Sequence, residues 1–213
     1  MHLLGYGVDP KSPALRAIMH NLIVARNERN NKIIDALRRL GVIITLEEVQ
    51  REAGGEVIGR PHVARVLVRK GLVSSIKQAF DKFLAQGRSA YFDKEKLTPP
   101  QAIDLIHRAG GLIVLAHPVQ LRAQNAAHLQ GAIKDLKDRG LDGVEVIHND
   151  HDDRMVDFLD NLADKLSLLK TGGSDFHGSN KPDVRLGWAG KQRIPREMFD
   201  ALKQRIGTTD EHG

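Results

Sequence analysis

The sequence predicts an α/β fold with a parallel sheet or barrel, and the alternation of two kinds of segment carries this prediction. Three short apolar runs, at 112–116, 143–147 and 168–172, have the length and composition of buried strands. Helical periodicity lies between them, near 129–139 and 154–166. Alternation of this kind is typical of parallel strands joined by helical crossovers. A further strand is predicted at 2–7 and a last helix at about 196–205.

A second kind of organisation is predicted for residues 11–92. Several short helices follow one another there without strands. Ser12-Pro13 begins the first helix and a capping box at 45–48 begins the next. The polar stretch 26–31 has weak helix propensity, so the first helix can break there. We therefore expect a helical insertion at 11–92 and an α/β domain formed by 1–10 and 93–213.

Composition limits the class of protein. The 213 residues contain no cysteine, which excludes disulfides and thiolate metal sites and fits a cytoplasmic protein. No run of about 18 apolar residues occurs, so no membrane partner is expected. Residues 12–92 contain 14 Lys and Arg against 7 Asp and Glu. This charge indicates either a phosphorylated or nucleic-acid partner or a solvated basic surface, and the oligomeric state is left open.

Polar side chains follow each of the three predicted strands. Asp175 and His177 come after paired glycines and project from one face of an extended backbone, while His117 and His148 close the two earlier strands. Carboxyl ends of parallel strands meet at one edge, so these four side chains are expected to lie together. A mixture of imidazole and carboxylate suits Zn, Mn or Fe better than Ca. The alternative is an ordinary surface turn in which the Asp caps backbone amides and the His is solvated.

Four segments together resemble a known family. They are His-Leu-Leu-Gly-Tyr at 2–6, Gly-Arg-Pro-His at 59–62, Ala-His-Pro at 116–118 and Gly-Gly-Ser-Asp-Phe-His-Gly at 172–178. They are similar to motifs of the polymerase-and-histidinol-phosphatase (PHP) phosphoesterases. The subgroup they resemble is the nucleoside 3′,5′-bisphosphate phosphatases, some of which are 5′-to-3′ exoribonucleases. The resemblance runs from residue 1 to about 190.

The resemblance implies a distorted (β/α)7, TIM-like barrel with a helical insertion that binds up to three divalent metals. The metal is commonly Mn, with Zn, Fe and Mg as alternatives. Arg60 and His62 would bind the substrate phosphate, and His62 or His148 would orient or protonate the leaving group. Glu145 should point inward from its strand, where it either supports a ligand or is merely paired. The residues that match metal ligands are His2, His117, Asp175 and His177.

One departure from the family pattern changes the expected activity. The family begins with His-x-His, an Asp, an Asp-His pair and a bridging Glu, and none of these precedes His2. We therefore expect an incomplete barrel, from either a fragment or late gene start of a complete enzyme or a truncated relative that has lost catalysis. The first interpretation is favoured because the other site residues are intact.

The predicted function is metal-dependent hydrolysis of phosphate from nucleoside 3′,5′-bisphosphates or short RNA 5′ ends, inactive or impaired in this chain. The alternatives are a non-catalytic module that binds nucleotides or RNA and another metal-dependent hydrolase of amidohydrolase type.

Overall fold

The computed structural model describes residues 1–55, 57–176, 178, 183–190 and 192–209, with side chains to residue 207. Within this part the chain divides into two compact units, Met1–Arg16 with Leu97–Gly213 and Ala17–Lys96. The predicted domain limits stay a prediction. The elements of the first unit are β1 (His2–Tyr6), α5 (Pro99–Arg108), β2 (Leu112–Ala116), α6 (Ala126–Asp138), β3 (Gly143–His148), α7 (Asp153–Leu166), β4 (Leu169–Gly173), β5 (Trp188–Ala189), β6 (Gln192–Arg193) and α8 (Arg196–Thr209).

The sheet of the first unit has the strand order β1-β2-β3-β4. The last three strands are parallel, as the alternation predicted, and β1 runs antiparallel to β2. All residues of β2 and β3 are buried, because helices cover them and a parallel sheet hides both faces. Their core side chains include Ile113, Leu115, Val144 and Val146, which pack with Leu159 of α7.

The second unit is helical, as predicted. The first helix runs unbroken from Pro13 to Arg39, so the break that weak propensity would allow at 26–31 does not occur. The polar stretch is no solvated hinge: Arg29 and Asn30 are buried, and the following turns bury Ile33 and Leu37 in the core of this unit. Packing therefore outweighs the few tenths of a kcal/mol per residue that poor helix formers cost. The helices are α1 (Pro13–Arg39), α2 (Leu46–Ala53), α3 (Arg60–Arg69) and α4 (Ile76–Ala79), which continues as a π-helical turn (Phe80–Leu84).

The described strands form an open sheet, and the predicted (β/α)7 barrel stays a prediction. The mixed α/β architecture with a parallel core is the part that the structure bears out. Two features were not anticipated from the sequence. They are the hairpin formed by β5 and β6 and a 3₁₀ turn at Pro118–Leu121. In the part of the chain that the structure describes, no helix has the length and apolar character needed to cross a bilayer.

Candidate functional site

The candidate site lies along one edge of the four-stranded sheet. His117 follows the last residue of β2, His148 is the last residue of β3, and Asp175 lies two residues beyond the end of β4. The antiparallel direction of β1 places its first residue at this edge, since His2 pairs with Ala116. The ends of the two parallel strands place His117 and His148 at this edge, and the antiparallel direction of β1 accounts for His2.

Two of the predicted ligands face each other directly. Nδ1 of His2 lies 3.1 Å from Nε2 of His117, and the two rings are nearly perpendicular with centroids 5.0 Å apart. Without an ion, one nitrogen donates a hydrogen bond to the other. Two nitrogens at about 2.0–2.1 Å from one metal ion are separated by roughly 3.0–3.4 Å, so the same spacing suits a shared cation. His117 is buried, and its Nδ1 has no hydrogen-bond partner in the described structure.

His148 continues the row of imidazoles, with its ring centroid 5.3 Å from that of His117. Its Nδ1 accepts a hydrogen bond from the backbone N–H of Asp150 at 3.0 Å. Burial is the largest effect on its pKa, which lies below the ordinary value, so the ring is neutral. A neutral ring whose Nδ1 accepts must carry its proton on Nε2. His148 therefore carries an N–H on Nε2, a buried atom that has no hydrogen-bond partner in the described structure, and a protonated nitrogen suits a hydrogen bond better than ligation of a metal.

His151 is a site residue that the sequence analysis missed. Its ring centroid lies 5.4 Å from that of His148, and its Nδ1 donates to the carbonyl of Val146 at 2.8 Å. Burial lowers its pKa, so the neutral ring keeps the lone pair on Nε2, which is buried and lacks a partner in the described structure. A backbone carbonyl that fixes the opposite nitrogen is typical of histidines that bind metals. The sequence signal, His-Asn-Asp-His at 148–151, reads equally well as a polar loop.

Glu145 supports the edge from the middle of β3. Its Oε2 accepts a hydrogen bond from the backbone N–H of His117 at 2.7 Å, and it is 4% exposed. The adjoining strand makes room for it: a Cβ at Gly173 would lie 2.1 Å from Oε1 of Glu145. Burial raises the pKa of Glu145 to about 7, the hydrogen bond from His117 opposes this, and the charge of Asp175 adds to it. The carboxyl can therefore gain or lose a proton near neutral pH.

The loops at this edge are held in uncommon backbone conformations. His117 has φ 30° and Asp175 has φ 50°, values that non-glycine residues adopt rarely and at some energetic cost. Asn149 stabilises the loop after β4, because its amide donates to the carbonyl of Ser174 and its Oδ1 accepts from the N–H of Gly190 at 2.6 Å. Two predicted ligands are thus held by their surroundings. His177 lies outside the described residues.

The described residues do not by themselves form a complete metal site. Among them, no group of three or more His, Asp or Glu side chains converges closely enough to hold an ion. The paired nitrogens of His2 and His117 and the buried lone pair of His151 have the donor chemistry of transition-metal sites. The ligand set proposed from the sequence therefore stays a prediction.

Arg60 and His62 belong to the helical unit and have structural partners there. Nη1 of Arg60 donates to the carbonyl of Leu84 at 2.9 Å, and its guanidinium lies 4.7 Å from the ring centroid of Tyr91. Nδ1 of His62 accepts from the N–H of Gly59 at 3.0 Å, which caps the first turn of α3. Each residue thus contributes to the local fold, and the predicted contact with a substrate phosphate stays a prediction.

The chain is similar to bacterial proteins that act on phosphate esters. It is 33% identical over 177 residues to a 5′-3′ exoribonuclease of Haemophilus influenzae, which covers 83% of this chain and 64% of that protein. It is 32% identical over 179 residues to a 3′,5′-nucleoside bisphosphate phosphatase of Chromobacterium violaceum, covering 83% of this chain and 62% of that protein. The chain thus spans a little under two thirds of the length of each relative. No family model matches the chain.

Solved structures agree with this relationship. A protein of Bifidobacterium adolescentis assigned as a metal-dependent phosphoesterase has a TM-score of 0.72 and 26% identity, covering 96% of this chain and 71% of that one. An amidohydrolase of Chromobacterium violaceum with bound sulfate and no metal has a TM-score of 0.70 and 28% identity, with the same coverage of both chains. The resemblance drawn from the motifs is confirmed: the chain is a relative of metal-dependent phosphoesterases. The two curated relatives are named as an exoribonuclease and a phosphatase, which are hydrolases of phosphate esters.

Proposed function

We propose that this protein is a metal-dependent phosphoesterase that removes phosphate from nucleoside 3′,5′-bisphosphates or hydrolyses short RNA from its 5′ end. The observation that carries the proposal is the row of four imidazoles, those of His2, His117, His148 and His151, at one edge of the sheet. The names of the relatives support the class of substrate.

The proposed metal ligands are His2, His117 and Asp175, together with His177, which lies outside the described residues. Mn is the expected ion, with Zn, Fe and Mg as alternatives. When bound, divalent ions would activate a water molecule and neutralise charge on the phosphoryl oxygens. The facing nitrogens of His2 and His117 support this assignment, and the buried Nε2 of His151 is a further candidate donor.

The chain's own residues have separate tasks in this proposal. His148 would donate a hydrogen bond from Nε2 to an oxygen of the substrate and so orient it, whereas protonation of the leaving group would require the cationic ring, which its lowered pKa disfavours. Glu145 holds His117 through its backbone N–H and keeps it in its uncommon conformation. Arg60 and His62 are the proposed contacts to substrate phosphate, because a guanidinium fork matches phosphate oxygens.

A direct assay tests the proposal. The chain is incubated with a nucleoside 3′,5′-bisphosphate or a short 5′-phosphorylated RNA, with Mn or with a chelator, and released phosphate and nucleotides are measured. We expect the turnover that this chain retains to require the metal and to fall by about a hundredfold or more in His117→Gln. The matched control is His128→Gln, because His128 is an exposed residue of α6. Turnover that survives the chelator, or that falls equally in both variants, would contradict the proposal. The expectation that this chain has impaired activity stays a prediction that the same assay tests.

Hydrolysis of amides is a second candidate function, because one structural neighbour is called an amidohydrolase. One variant of such a site uses a carboxylated lysine at the end of a strand, and the described residues provide no good candidate for it. Lys170, the lysine of β4, forms ion pairs with Asp160 at 2.8 Å and Asp164 at 2.9 Å on α7. Amide substrates assayed beside the bisphosphate would separate the two functions. Salt-sensitive RNA binding without phosphate release would instead identify the non-catalytic binding module.

A further inference from the structure

A cavity of about 380 Å³ lies in the α/β unit, between α6, α7 and the 3₁₀ turn that follows β2. Its volume falls in the range of about 300–1,000 Å³ that is usual for small-molecule sites. The lining is mainly apolar and includes Val119, Leu129, Met155 and Phe158. The described lining has few polar side chains, and such a composition is typical of sites that bind and orient a small ligand.

The cavity adjoins the candidate site along the chain. Pro118 directly follows His117, and Asp152 directly follows His151. The lining thus begins one residue beyond two of the four imidazoles at the sheet edge. A group held in the cavity would therefore belong to a molecule whose neighbouring part reaches that edge.

Met155 and Phe158 form an apolar surface on α7. They are three residues apart and so are neighbours on the helix surface. Both pack against the core of the unit and remain half-buried, so part of each side chain stays accessible. Arg154 is an exposed residue of the same lining. An aromatic ring, a thioether and a guanidinium are side chains on which a planar heteroaromatic ring can stack.

Asn125 and Asp152 add one donor and one acceptor to the lining. Oδ1 of Asn125 accepts the N–H of His128 at 3.0 Å. Oδ1 of Asp152 accepts the N–H of Met155 at 2.8 Å. These helix caps fix both side chains and leave Nδ2 of Asn125 to donate and Oδ2 of Asp152 to accept. The charges of Asp152 and Arg154 balance, so the lining suits an uncharged ligand with a polar edge better than a phosphate.

We propose that this cavity binds the base of the nucleotide whose phosphate lies at the sheet edge. The base stacks on Phe158, and its edge forms hydrogen bonds with Asn125 and Asp152. Each of the four RNA bases presents a donor beside an acceptor on its Watson–Crick edge, so we expect little preference among them. The identity of the ligand rests on the proposed function, because a nucleotide substrate carries its base close to the phosphate.

The test measures binding of the four ribonucleosides to the whole chain in a chelator, by calorimetry or NMR titration, so that neither a phosphate nor a metal contributes. Phe158→Leu removes the ring and keeps an apolar side chain. The matched control is Phe199→Leu on α8, where the ring is 60% exposed and lies outside the lining. We expect Phe158→Leu to weaken binding of every nucleoside by about tenfold and Phe199→Leu by less than about twofold.

A second variant gives a readout that a purely structural role would not change. Asn125→Asp keeps the helix cap, because Asp caps as well as Asn, and it replaces the donor with an acceptor. Guanine is the RNA base whose edge presents two adjacent donors, N1–H and the 2-amino group. The variant should therefore favour guanosine over the other nucleosides by about fivefold or more. The control is Asn161→Asp, which adds the same charge at an exposed position of α7 outside the lining and should leave the selectivity unchanged.

Nucleoside binding and phosphate release together separate this inference from the proposed function. Nucleoside binding with the expected effects, but without phosphate release, would support the base site and count against the phosphoesterase alone. Phosphate release without saturable binding of any nucleoside would overturn the base site alone. Equal effects of Phe158→Leu and Phe199→Leu, or unchanged selectivity in Asn125→Asp, would also overturn it, and Asn125→Asp decides the matter if Phe158→Leu does not fold. Tighter binding of an N-acetylated, amidated phenylalanine than of any nucleoside would assign the cavity to a peptide and overturn it as well.

Discussion

Glu145 and Gly173 form a matched pair across β3 and β4, and the glycine is required by the carboxylate. A methyl group at position 173 would lie 2.1 Å from Oε1 of Glu145, far inside van der Waals contact. Glu145 cannot move aside freely, because it is buried and accepts the backbone N–H of His117. The smallest side chain at this position therefore changes the geometry of the candidate site.

Gly173→Ala should accordingly lower the free energy of unfolding by about 1–3 kcal/mol, the cost of leaving the buried N–H of His117 without its acceptor. Turnover of the bisphosphate should also fall, since His117 loses its support. Chemical denaturation and the phosphate-release assay measure the two effects. The control is Gly131→Ala in α6, where an added Cβ meets nothing within 4 Å, and which should stabilise by up to about 1 kcal/mol. Equal behaviour of the two variants would contradict the predicted clash.

The raised pKa of Glu145 predicts a pH dependence of stability in the metal-free protein. The folded state binds a proton with a pKa of about 7, whereas the ordinary value is 4.5. Between these values the folded state holds more protons than the unfolded state, so stability falls as pH rises through this window. The loss amounts to about 3 kcal/mol, from 1.36 kcal/mol per pKa unit.

Glu145→Gln should flatten this dependence and be the more stable protein at pH values above about 7 in a chelator. Unfolding in denaturant at several pH values between roughly 4.5 and 8 measures it. Glu197→Gln, at an exposed position of α8, should keep the wild-type slope. A slope that persists in Glu145→Gln would assign the titration to another group.

The residues of the site differ in how far the sequence could predict them. His117 closes a continuous apolar run and His148 closes an apolar run interrupted only by Glu145, so their position at the ends of strands could be predicted from the sequence. His151 was missed because its role depends on the carbonyl of Val146, which fixes the tautomer and is invisible in the sequence. The left-handed backbone of Asp175 was also unexpected, since an extended chain after β4 was assumed.

Among whole elements, α2 was predicted most directly, because the four residues from Thr45 to Glu48 form a capping box that marks its beginning. Thr45 accepts the N–H of Glu48 at 3.3 Å, and the carboxylate of Glu48 accepts the N–H of Thr45 at 2.9 Å. Glu48 also pairs with Lys70 at 2.9 Å, which connects α2 to the end of α3. A local signal of this kind needs no tertiary information. By contrast, the two-residue strands β5 and β6 are too short for any periodicity to reveal them.

Thr45→Ala should lower the free energy of unfolding of the helical unit by about 1 kcal/mol, the usual contribution of a helix cap. Thr45→Ser keeps the hydroxyl and should differ from wild type by only a few tenths of a kcal/mol. Hydrogen exchange of the amides of α2, or denaturation followed by circular dichroism, measures the difference. Equal stability of the alanine and serine variants would show that the cap is replaced by water without loss.

At the scale of the whole molecule, local patterns predicted the order of the elements, whereas the pairing of the strands depends on contacts between distant segments. Alternation and helix caps are local patterns, and they fixed the order of the elements and most of their limits. The direction of β1 and the open four-stranded sheet depend on which strands pair, and pairing is not encoded locally. The same holds for the continuous α1, whose polar segment is stabilised by the core of the helical unit rather than by propensity.

Binding of a metal at the sheet edge should stabilise the folded protein as a whole, because an ion that binds only the folded state shifts the unfolding equilibrium. At a free Mn concentration of about 100 times its dissociation constant, the gain is about 2.7 kcal/mol. For a chain of this size that corresponds to a rise in melting temperature of roughly 5–10 °C. His117→Gln should lose this rise, because its Nε2 faces Nδ1 of His2 at 3.1 Å and the pair would no longer share the ion. His128→Gln should keep it, since that exposed ring on α6 is no part of the pair. A rise in melting temperature of equal size in His117→Gln would place the stabilising ion elsewhere. No rise in the wild-type protein would contradict metal binding by the four imidazoles.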